Sequence, residues 1–289
     1  MTKELNGREL VGFVKMRQAH LVQILRSNKI KAKLVIIRDS NNPVIEKYVK
    51  LKCRYGEDIG VEVVDKKVQP TAESLIQAIE DANKDSSVSG IIVQLPLVNS
   101  EIMEDVLGKI NPKKDVDGLS MKGKFDSATA TAINWLLSGY DINLIGKKIA
   151  IVGRGKLVGR PLATMWQNSG LTVEVFHRGS DFTKLKDYQI IVTATGVPNL
   201  IKTEMISSGA IVVDAGTASE SGKIVGDISD EIRERTDLFA ITPKIGGVGP
   251  LTVGVLFENV LAAANMNNKN MSRKEAIEDI YKTSIKSNE

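Results

Sequence analysis

Lysine, amide and carboxylate side chains occur in three short clusters in the first half of this 289-residue chain. Tyr48 and Lys52 are four residues apart, a spacing that places both side chains on one face of a helix. Gln94 follows an apolar run, and Asp117 lies in the charged turn 114–118. A lysine beside an amide and a carboxylate can have its pKa tuned for acid–base chemistry. Taken alone, each cluster favours a structural interpretation instead: a surface Tyr/Lys pair, a capping amide and a solvated acidic turn.

A glycine-rich turn in the second half follows an apolar run and precedes a helix-like segment. Its glycines, Gly153, Gly155 and Gly159, have the spacing G-x-G-x-x-x-G, one residue longer than the common dinucleotide-binding pattern. Such a turn brings backbone N–H groups and a helix N-terminus to a pyrophosphate. The same residues are also compatible with a plain strand-to-helix turn.

Cations near this turn favour NADP over NAD. The next apolar run ends in His177 and Arg178, at the place where NAD enzymes have an acidic residue for the ribose 2′-hydroxyl. Arg178 suits a 2′-phosphate, and Arg154 within the glycine turn is a second candidate. His177 is interpreted as a packing residue. Thr195 and Gly196 end a further apolar run, where a nicotinamide ribose binds in folds of this kind.

Short apolar runs alternate with amphipathic stretches along the chain, a pattern typical of α/β proteins. Several runs are continuous in Val and Ile, as in strands buried on both faces of a parallel sheet. The predicted strands are residues 33–39, 61–65, 90–96, 148–153, 172–176, 189–196, 210–216 and 238–242. Residues 71–83 are predicted to form a helix with one apolar face.

The length of the chain predicts two domains. Glycines and small polar residues interrupt the pattern over 117–127, so residues 1–120 are predicted to form a first α/β domain and residues 121–249 a Rossmann-type domain. Residues 251–266 are apolar on most sides and are therefore predicted to form a buried helix. We expect the segment 250–289 to return to the first domain, which is then discontinuous.

Composition limits the classes of function. The single cysteine, Cys53, excludes an intrachain disulfide and favours a reducing compartment. Two histidines and one cysteine cannot form a usual zinc site, so no metal is predicted. The net charge of +4 is dispersed, which argues against nucleic acid as a partner. No secretory pattern and no apolar run of roughly 18 residues is visible, which predicts a cytoplasmic protein without a membrane partner.

Taken in order, five segments resemble the bifunctional methylenetetrahydrofolate dehydrogenase/methenyltetrahydrofolate cyclohydrolase family. They are YVKLKCRYGEDIG, GIIVQLPL, KDVDG, GRGKLVGRP and TPKIGGVGPLT, in the family's order and at about its spacing. Short-chain dehydrogenases also carry Tyr-x-x-x-Lys, but their glycine loop comes first, whereas Lys52 precedes Gly153 here. Shikimate dehydrogenases share the domain order, but their substrate-domain motifs do not match this chain.

The resemblance implies a role for each polar residue of the first half. Tyr48 is similar to the tyrosine that stacks on the aminobenzoyl ring of the folate. Lys52 resembles the catalytic lysine, with Gln94 as its hydrogen-bonding partner. Asp117 resembles the carboxylate that anchors the pterin. The implied fold has an N-terminal α/β folate-binding domain and a Rossmann-type NADP-binding domain with a cleft between them, usually as a homodimer.

Gly246, Gly247 and Gly249 resemble the loop at which folate and nicotinamide approach each other closely. The implied activity is the NADP-dependent oxidation of 5,10-methylenetetrahydrofolate to 5,10-methenyltetrahydrofolate, followed by hydrolysis to 10-formyltetrahydrofolate. Tetrahydrofolate derivatives are the implied ligands. The alternatives are a variant that retains one of the two activities and a non-catalytic paralogue that binds folate or a nucleotide.

The chain departs from the family's pattern at several positions. Ile45 and Gly155 replace serines, and Arg178 replaces the serine that follows the histidine of the nucleotide strand. Residues 127–130 read Ser-Ala-Thr-Ala in place of Pro-Cys-Thr-Pro, and residues 244–245 read Lys-Ile in place of Val-Pro. These changes bear on cofactor preference and catalytic efficiency more than on membership of the family.

Overall fold

The computed structural model describes residues 2–120, 123–216, 218–220, 223–269, 271 and 273–286. The chain divides into two compact units. The loop unit, named here for its glycine turn, comprises Met1–Gly12 and Thr129–Thr252. The lysine unit, named for Lys52, comprises Phe13–Ala128 and Val253–Glu289.

Helices and strands alternate through most of the described chain, as an α/β fold requires. The α-helices are α1 Gly7–Ser27, α2 Pro43–Ile59, α3 Ala72–Lys84, α4 Met103–Leu107, α5 Ala128–Gly139, α6 Gly159–Asn168, α7 Asp230–Arg233, α8 Val248–Lys269 and α9 Arg273–Lys286. The strands are β1 Lys3–Glu4, β2 Lys33–Arg38, β3 Glu62–Lys67, β4 Gly90–Val93, β5 Ile149–Val152, β6 Val173–Phe176, β7 Ile190–Thr193, β8 Ile211–Asp214, β9 Ala218–Glu220, β10 Lys223–Val225 and β11 Ala240–Ile241.

The loop unit contains a parallel sheet in the order β1-β11-β8-β7-β5-β6. Strands β5 and β7 are buried along their whole length, as the continuous Val and Ile runs predicted. The register sets Ile149 opposite both Val173 and Ile190. The carboxyl ends of β5, β6 and β7 therefore lie side by side, which brings the segments that follow them to one edge of the sheet. Strands β9 and β10 form a separate antiparallel pair.

The lysine unit contains a parallel three-stranded sheet in the order β3-β2-β4. Helix α3 covers this sheet with Leu75 and Ile79, both fully buried. The predicted helix at 71–83 agrees with α3 within one residue at each end. The helix begins at Ala72 because Thr71 is its N-cap, whose side chain accepts a hydrogen bond of 3.2 Å from the Ser74 N–H. Each unit is thus an α/β structure built on a parallel sheet, which confirms the predicted fold class.

Two segments are grouped differently from the predicted ranges 1–120 and 121–249. Residues Met1–Gly12 belong to the loop unit, because β1 pairs in parallel with β11. A two-residue strand has no periodicity, so its pairing could not be read from the sequence. The border between the units follows Ala128, at the start of α5. Most of the tail, Val253–Glu289, is grouped with Phe13–Ala128.

Helix α8 is long and apolar enough over Val248–Met266 to cross a membrane by length and composition alone, although 83% of its most apolar window is buried inside the protein. Such burial is typical of a core helix. Within the lysine unit, Phe257 stacks on Tyr55 with ring centroids 5.0 Å apart. Asn259 Nδ2 donates a hydrogen bond of 2.8 Å to the carbonyl oxygen of Val116.

Candidate active site

Helix α2 positions Tyr48 and Lys52. Asn42 caps its N-terminus by accepting the Val44 N–H at 2.9 Å, and proline occupies the first turn, where a missing N–H costs nothing. The helix is buried along one side, and Ile45, which stands where the family has serine, is 4% exposed within that core. Tyr48 and Lys52 are partly buried at the edge of this side, so both are held without being sealed from solvent.

The predicted contact between Lys52 and Gln94 is present. Lys52 Nζ donates a hydrogen bond of 2.8 Å to Gln94 Oε1. Gln94 follows β4, its own N–H donates to the Ile37 carbonyl at 2.8 Å, and its Nε2 donates to the Leu95 carbonyl at 2.9 Å. Because the amide nitrogen is already bound, the amide oxygen is directed at the lysine. The pair therefore holds the amine in one place.

Burial controls the charges of this cluster. Desolvation lowers the pKa of Lys52, and the negative charge of Asp117 opposes that shift. Desolvation likewise raises the pKa of Asp117, with Lys52 acting in the opposite direction. Burial also raises the pKa of the Tyr48 phenol, which therefore stays neutral. The cluster thus combines an amine that loses its proton more readily than usual with a carboxyl group that holds its own more tightly.

The charged turn 114–118 divides into structural and chemical residues. Lys114 Nζ donates to the carbonyl oxygens of Ala82, Asn83 and Asp85 at 2.7–3.0 Å, so it caps the C-terminus of α3. The carboxylate of Asp115 accepts backbone N–H groups from 118, 119 and 120. Lys114 and Asp115, which the sequence did not distinguish from Asp117 as charged candidates, therefore have structural roles in this turn.

The glycine turn of the loop unit permits a close backbone approach. A Cβ on Gly159 would overlap the carbonyl oxygen of Gly153, so this position requires glycine. By contrast, a Cβ on Gly155 would meet nothing within 4 Å. Helix α6 begins at Gly159, and its N-cap residue, Val158, makes no side-chain hydrogen bond to it. The Arg160 N–H donates to the Gly155 carbonyl at 3.0 Å, and the turn before the helix is exposed, so the start of α6 is accessible to an anion.

The predicted phosphate-binding arginines lie at the same sheet edge. Arg154 and Arg178 are both exposed and follow the paired strands β5 and β6. The Gly153 N–H donates to the Phe176 carbonyl at 2.8 Å, which ties the two segments together. His177 makes its contact within its own turn, with Nδ1 2.8 Å from the Arg178 carbonyl oxygen. The histidine is exposed, so the packing role expected for it is wrong: the residue lies just after the end of β6, where the chain has left the sheet and turns on itself.

The segment after β7 carries Thr195 and Gly196, at the edge shared with the glycine turn. The Ala194 N–H donates to the Val152 carbonyl at 2.8 Å. Thr195 N–H donates to the carboxylate of Asp227 at 2.6 Å. Sequence reasoning missed Asp227, whose only signal is its position after Gly226 at the end of a short apolar run.

The predicted glycine loop at Gly246 and Gly247 packs on the start of α1. The Arg8 N–H donates to the Gly246 carbonyl at 3.2 Å. A Cβ on Gly7 would overlap the Gly247 carbonyl oxygen, so the first residues of the helix fit closely against the loop. A Cβ on Gly249 would meet nothing within 4 Å. Among the described residues, no group of three or more His, Cys, Asp or Glu side chains could hold a metal ion.

Two family models match the chain. The tetrahydrofolate dehydrogenase/cyclohydrolase catalytic domain matches residues 5–117, and the NAD(P)-binding domain of the same family matches residues 127–268. The bifunctional protein FolD of Campylobacter jejuni strain 81-176 is 37% identical over 276 residues, which are 90% of this chain and 97% of that protein.

Solved structures agree with these matches. The methylenetetrahydrofolate dehydrogenase/cyclohydrolase FolD of Campylobacter jejuni has a TM-score of 0.85 at 35% identity, covering 91% of this chain and 99% of that one. The Trypanosoma brucei enzyme, solved with NADP cofactor and an inhibitor, has a TM-score of 0.86 at 28% identity, covering 93% and 99%. The chain therefore belongs to the tetrahydrofolate dehydrogenase/cyclohydrolase family.

Proposed function

We propose that this protein oxidises 5,10-methylenetetrahydrofolate with NADP and hydrolyses the 5,10-methenyl product to 10-formyltetrahydrofolate. Both domains of the family are present, and relatives over nearly the whole chain bear the bifunctional name. The observation that carries the proposal is the hydrogen bond from Lys52 Nζ to Gln94 Oε1 beside Asp117. A protein that only binds folate has no need of a desolvated amine held in one position.

In the hydrolysis, water adds to the methenyl carbon and the ring opens with release of one proton. Lys52 is the group proposed to move that proton. Its lowered pKa increases the fraction of neutral amine near neutral pH, and a neutral amine can accept a proton from the attacking water. Gln94 keeps Nζ in place, Tyr48 supplies a neutral ring for stacking, and Asp117 is proposed to anchor the pterin.

In the oxidation, bound NADP supplies the hydride acceptor, and the protein's contribution is mainly to orient the two reacting rings. The loop unit suits such a cofactor. Gly153 and Gly159 allow the backbone to approach the pyrophosphate, while open space at Gly155 leaves the turn accessible. Arg154 and Arg178 are proposed to bind the 2′-phosphate, because guanidinium groups bind phosphate through paired, charge-assisted hydrogen bonds.

The remaining cofactor and substrate contacts stay proposals of the same kind. Thr195 and Gly196 are assigned to the nicotinamide ribose, and Gly246 and Gly247 to the place where folate and nicotinamide approach. We further propose a cytoplasmic homodimer whose ligands are tetrahydrofolate derivatives, with neither nucleic acid nor membrane as a partner. Sedimentation of the purified protein tests the dimer: a monomer at assay concentration contradicts it.

Two assays of the purified protein test the function. The first follows reduction of NADP or NAD with 5,10-methylenetetrahydrofolate, and the second follows disappearance of added methenyltetrahydrofolate without any cofactor. Activity in both assays, with NADP preferred, is the expected result. Hydrolysis without reduction identifies a cyclohydrolase that has lost the oxidation. Folate or nucleotide binding without either activity identifies a non-catalytic paralogue and contradicts the proposal.

A further inference from the structure

A cluster of three charged side chains is buried at the carboxyl edge of the loop-unit sheet. Its members are Asp214 at the end of β8, Asp227, and Arg233 at the end of α7, and we name it the carboxylate hub. Asp227 is fully buried, and the side chains of Asp214 and Arg233 are only 3% and 13% exposed. None of the three was singled out by sequence reasoning.

Asp227 holds the segment that follows β7. Its Oδ2 accepts a hydrogen bond of 2.6 Å from the N–H of Thr195. Thr195 is the first residue of the turn assigned to the nicotinamide ribose. Its backbone carbonyl accepts the Ile201 N–H at 3.0 Å, and the carbonyl of Gly226 accepts the Asn199 N–H at 3.2 Å. The side chain therefore reaches the turn while the main chain secures the residues behind it.

The other two members hold Asp227 and extend the hub to neighbouring strands. Asp214 Oδ1 accepts the Asp227 N–H at 3.2 Å and the Thr193 hydroxyl at 3.1 Å. Asp214 Oδ2 accepts Arg233 Nη2 at 2.6 Å, and Arg233 Nη1 donates to the Thr242 carbonyl at 2.6 Å. The ends of β7, β8 and β11 are thus joined through one set of charges.

Burying Asp227 beside Asp214 costs free energy, so stability alone does not account for the second acid. Burial raises the pKa of Asp227, the Thr195 N–H opposes that shift, and the nearby Asp214 charge adds to it. Apolar residues of similar volume commonly replace buried ion pairs without loss of stability. The packing is also specific, since a Cβ on Gly216 would overlap the Asp227 carboxylate. The burial of Asp227 is accounted for if its carboxylate holds a ligand-binding segment in place.

We propose that Asp227 is a positioning residue for the cofactor: through the Thr195 N–H it holds the Thr195–Gly196 turn in the geometry that binds the nicotinamide end. Asp214 and Arg233 act on the cofactor only through Asp227 and the strand ends. The inference rests on the proposed function, because it takes that turn to be a cofactor-binding segment. Groups that support a binding segment in this way govern affinity by preorganisation rather than by contact.

Replacement of Asp227 tests this role in the full-length protein. In Asp227→Ala the Thr195 N–H loses its acceptor, so the Kd and KM for NADP should rise about tenfold or more. In Asp227→Asn an amide oxygen can still accept that N–H, so most of the affinity should return. NADP binding is measured by titration, and methenyltetrahydrofolate hydrolysis, which needs no cofactor, is measured on the same preparations. We expect the rate of that hydrolysis to be unchanged in both variants.

Asp237→Ala is the matched control, because Asp237 is an exposed acid of the same unit that precedes β11 and pairs with Arg235. This control should bind NADP as the wild type does. Equal NADP affinity in Asp227→Ala and wild type overturns the inference. So does a parallel loss of both activities with unfolding of Asp227→Ala and Asp227→Asn, which makes Asp227 a stability residue. A wild type that does not bind NADP overturns the proposed function itself.

Discussion

The Lys52 cluster and the glycine turn are built in opposite ways. In the lysine unit, side chains are proposed to supply the chemistry: one amine is desolvated, hydrogen-bonded to Gln94 and influenced by the charge of Asp117. In the loop unit, the missing side chain at Gly159 shapes the turn, and the arginines are exposed beside it. A site made from side-chain chemistry should fail steeply when one group is lost. A site made from backbone shape and peripheral charge should instead lose affinity in steps.

The departures from the family pattern fall in both units. Gly155 and Arg178 replace serines in the loop unit, where open space and exposure accommodate a change of side chain. Tyr48, Lys52, Gln94 and Asp117 match the family motifs, as expected if they form the proposed proton-transfer site. Within the lysine unit the chain departs from the family at Ile45 and at residues 127–128, and all three side chains are buried.

The largest expected effect is on Lys52. Lys52→Met removes the amine while keeping an unbranched side chain, so hydrolysis of methenyltetrahydrofolate should fall by about 10²–10⁴-fold. Folate binding should persist through Tyr48 and Asp117, and the dehydrogenase rate should fall less because it depends on ring alignment. Hydrolysis kinetics beside a folate titration measure both quantities.

Lys50→Met is the control for that experiment, since Lys50 is an exposed lysine on the same helix. It should leave hydrolysis at the wild-type rate. Near-normal hydrolysis in Lys52→Met would remove the lysine from the mechanism. Loss of folate binding in Lys52→Met would instead make the lysine an anchoring residue.

The second effect concerns the glycine turn. Gly159→Ala forces a methyl group into the Gly153 carbonyl, so the turn must move and NADP affinity should fall on the order of 10²-fold. Gly155→Ala adds the same methyl group in open space and should cost much less. Cofactor titration compares the two variants, with hydrolysis as the internal measure of folding. Equal losses would show that close approach at Gly159 does not govern binding.

A smaller and more selective effect is expected at Arg178. Arg178→Ala should weaken NADP binding about tenfold or more, because a charged hydrogen bond to the 2′-phosphate is lost. NAD lacks that phosphate, so its affinity should change little. Titration of both nucleotides against wild type and variant decides the point. A similar loss for both would remove Arg178 from recognition of the 2′-phosphate.

The smallest effect is a displacement along the pH axis. Asp117 raises the pKa of Lys52 against the effect of burial, so Asp117→Asn should lower that pKa further. The neutral amine then persists to lower pH, and the acidic limb of the hydrolysis profile should move towards lower pH. The profile is recorded at saturating folate, because loss of the carboxylate also weakens substrate binding. A limb that stays in place or moves upwards would show that another group titrates.

Sequence patterns located most of the elements but not their ends. The strand predicted at 189–196 is observed at Ile190–Thr193, because the residues after it leave the sheet to form the Thr195 turn. The run 90–96 likewise ends as a strand at Val93, and Gln94 turns its side chain to Lys52. In both cases the residues that end the strand early are those assigned to a site. Apolar character continues past the hydrogen-bonded ladder, so it cannot mark the point where pairing stops.

The sequence by itself determined three features: two α/β units with parallel sheets, the helix that carries Tyr48 and Lys52, and the glycine turn after β5. Each of them depends on periodicity or on spacing within one segment. Only the tertiary structure decided which charges remain free to act. Lys114 and Asp115 cap a helix and a turn, and Asp227 holds the Thr195 N–H at 2.6 Å. Such roles depend on which backbone groups a side chain contacts, and those groups can be about 30 residues away in the sequence. Local sequence patterns do not predict such contacts.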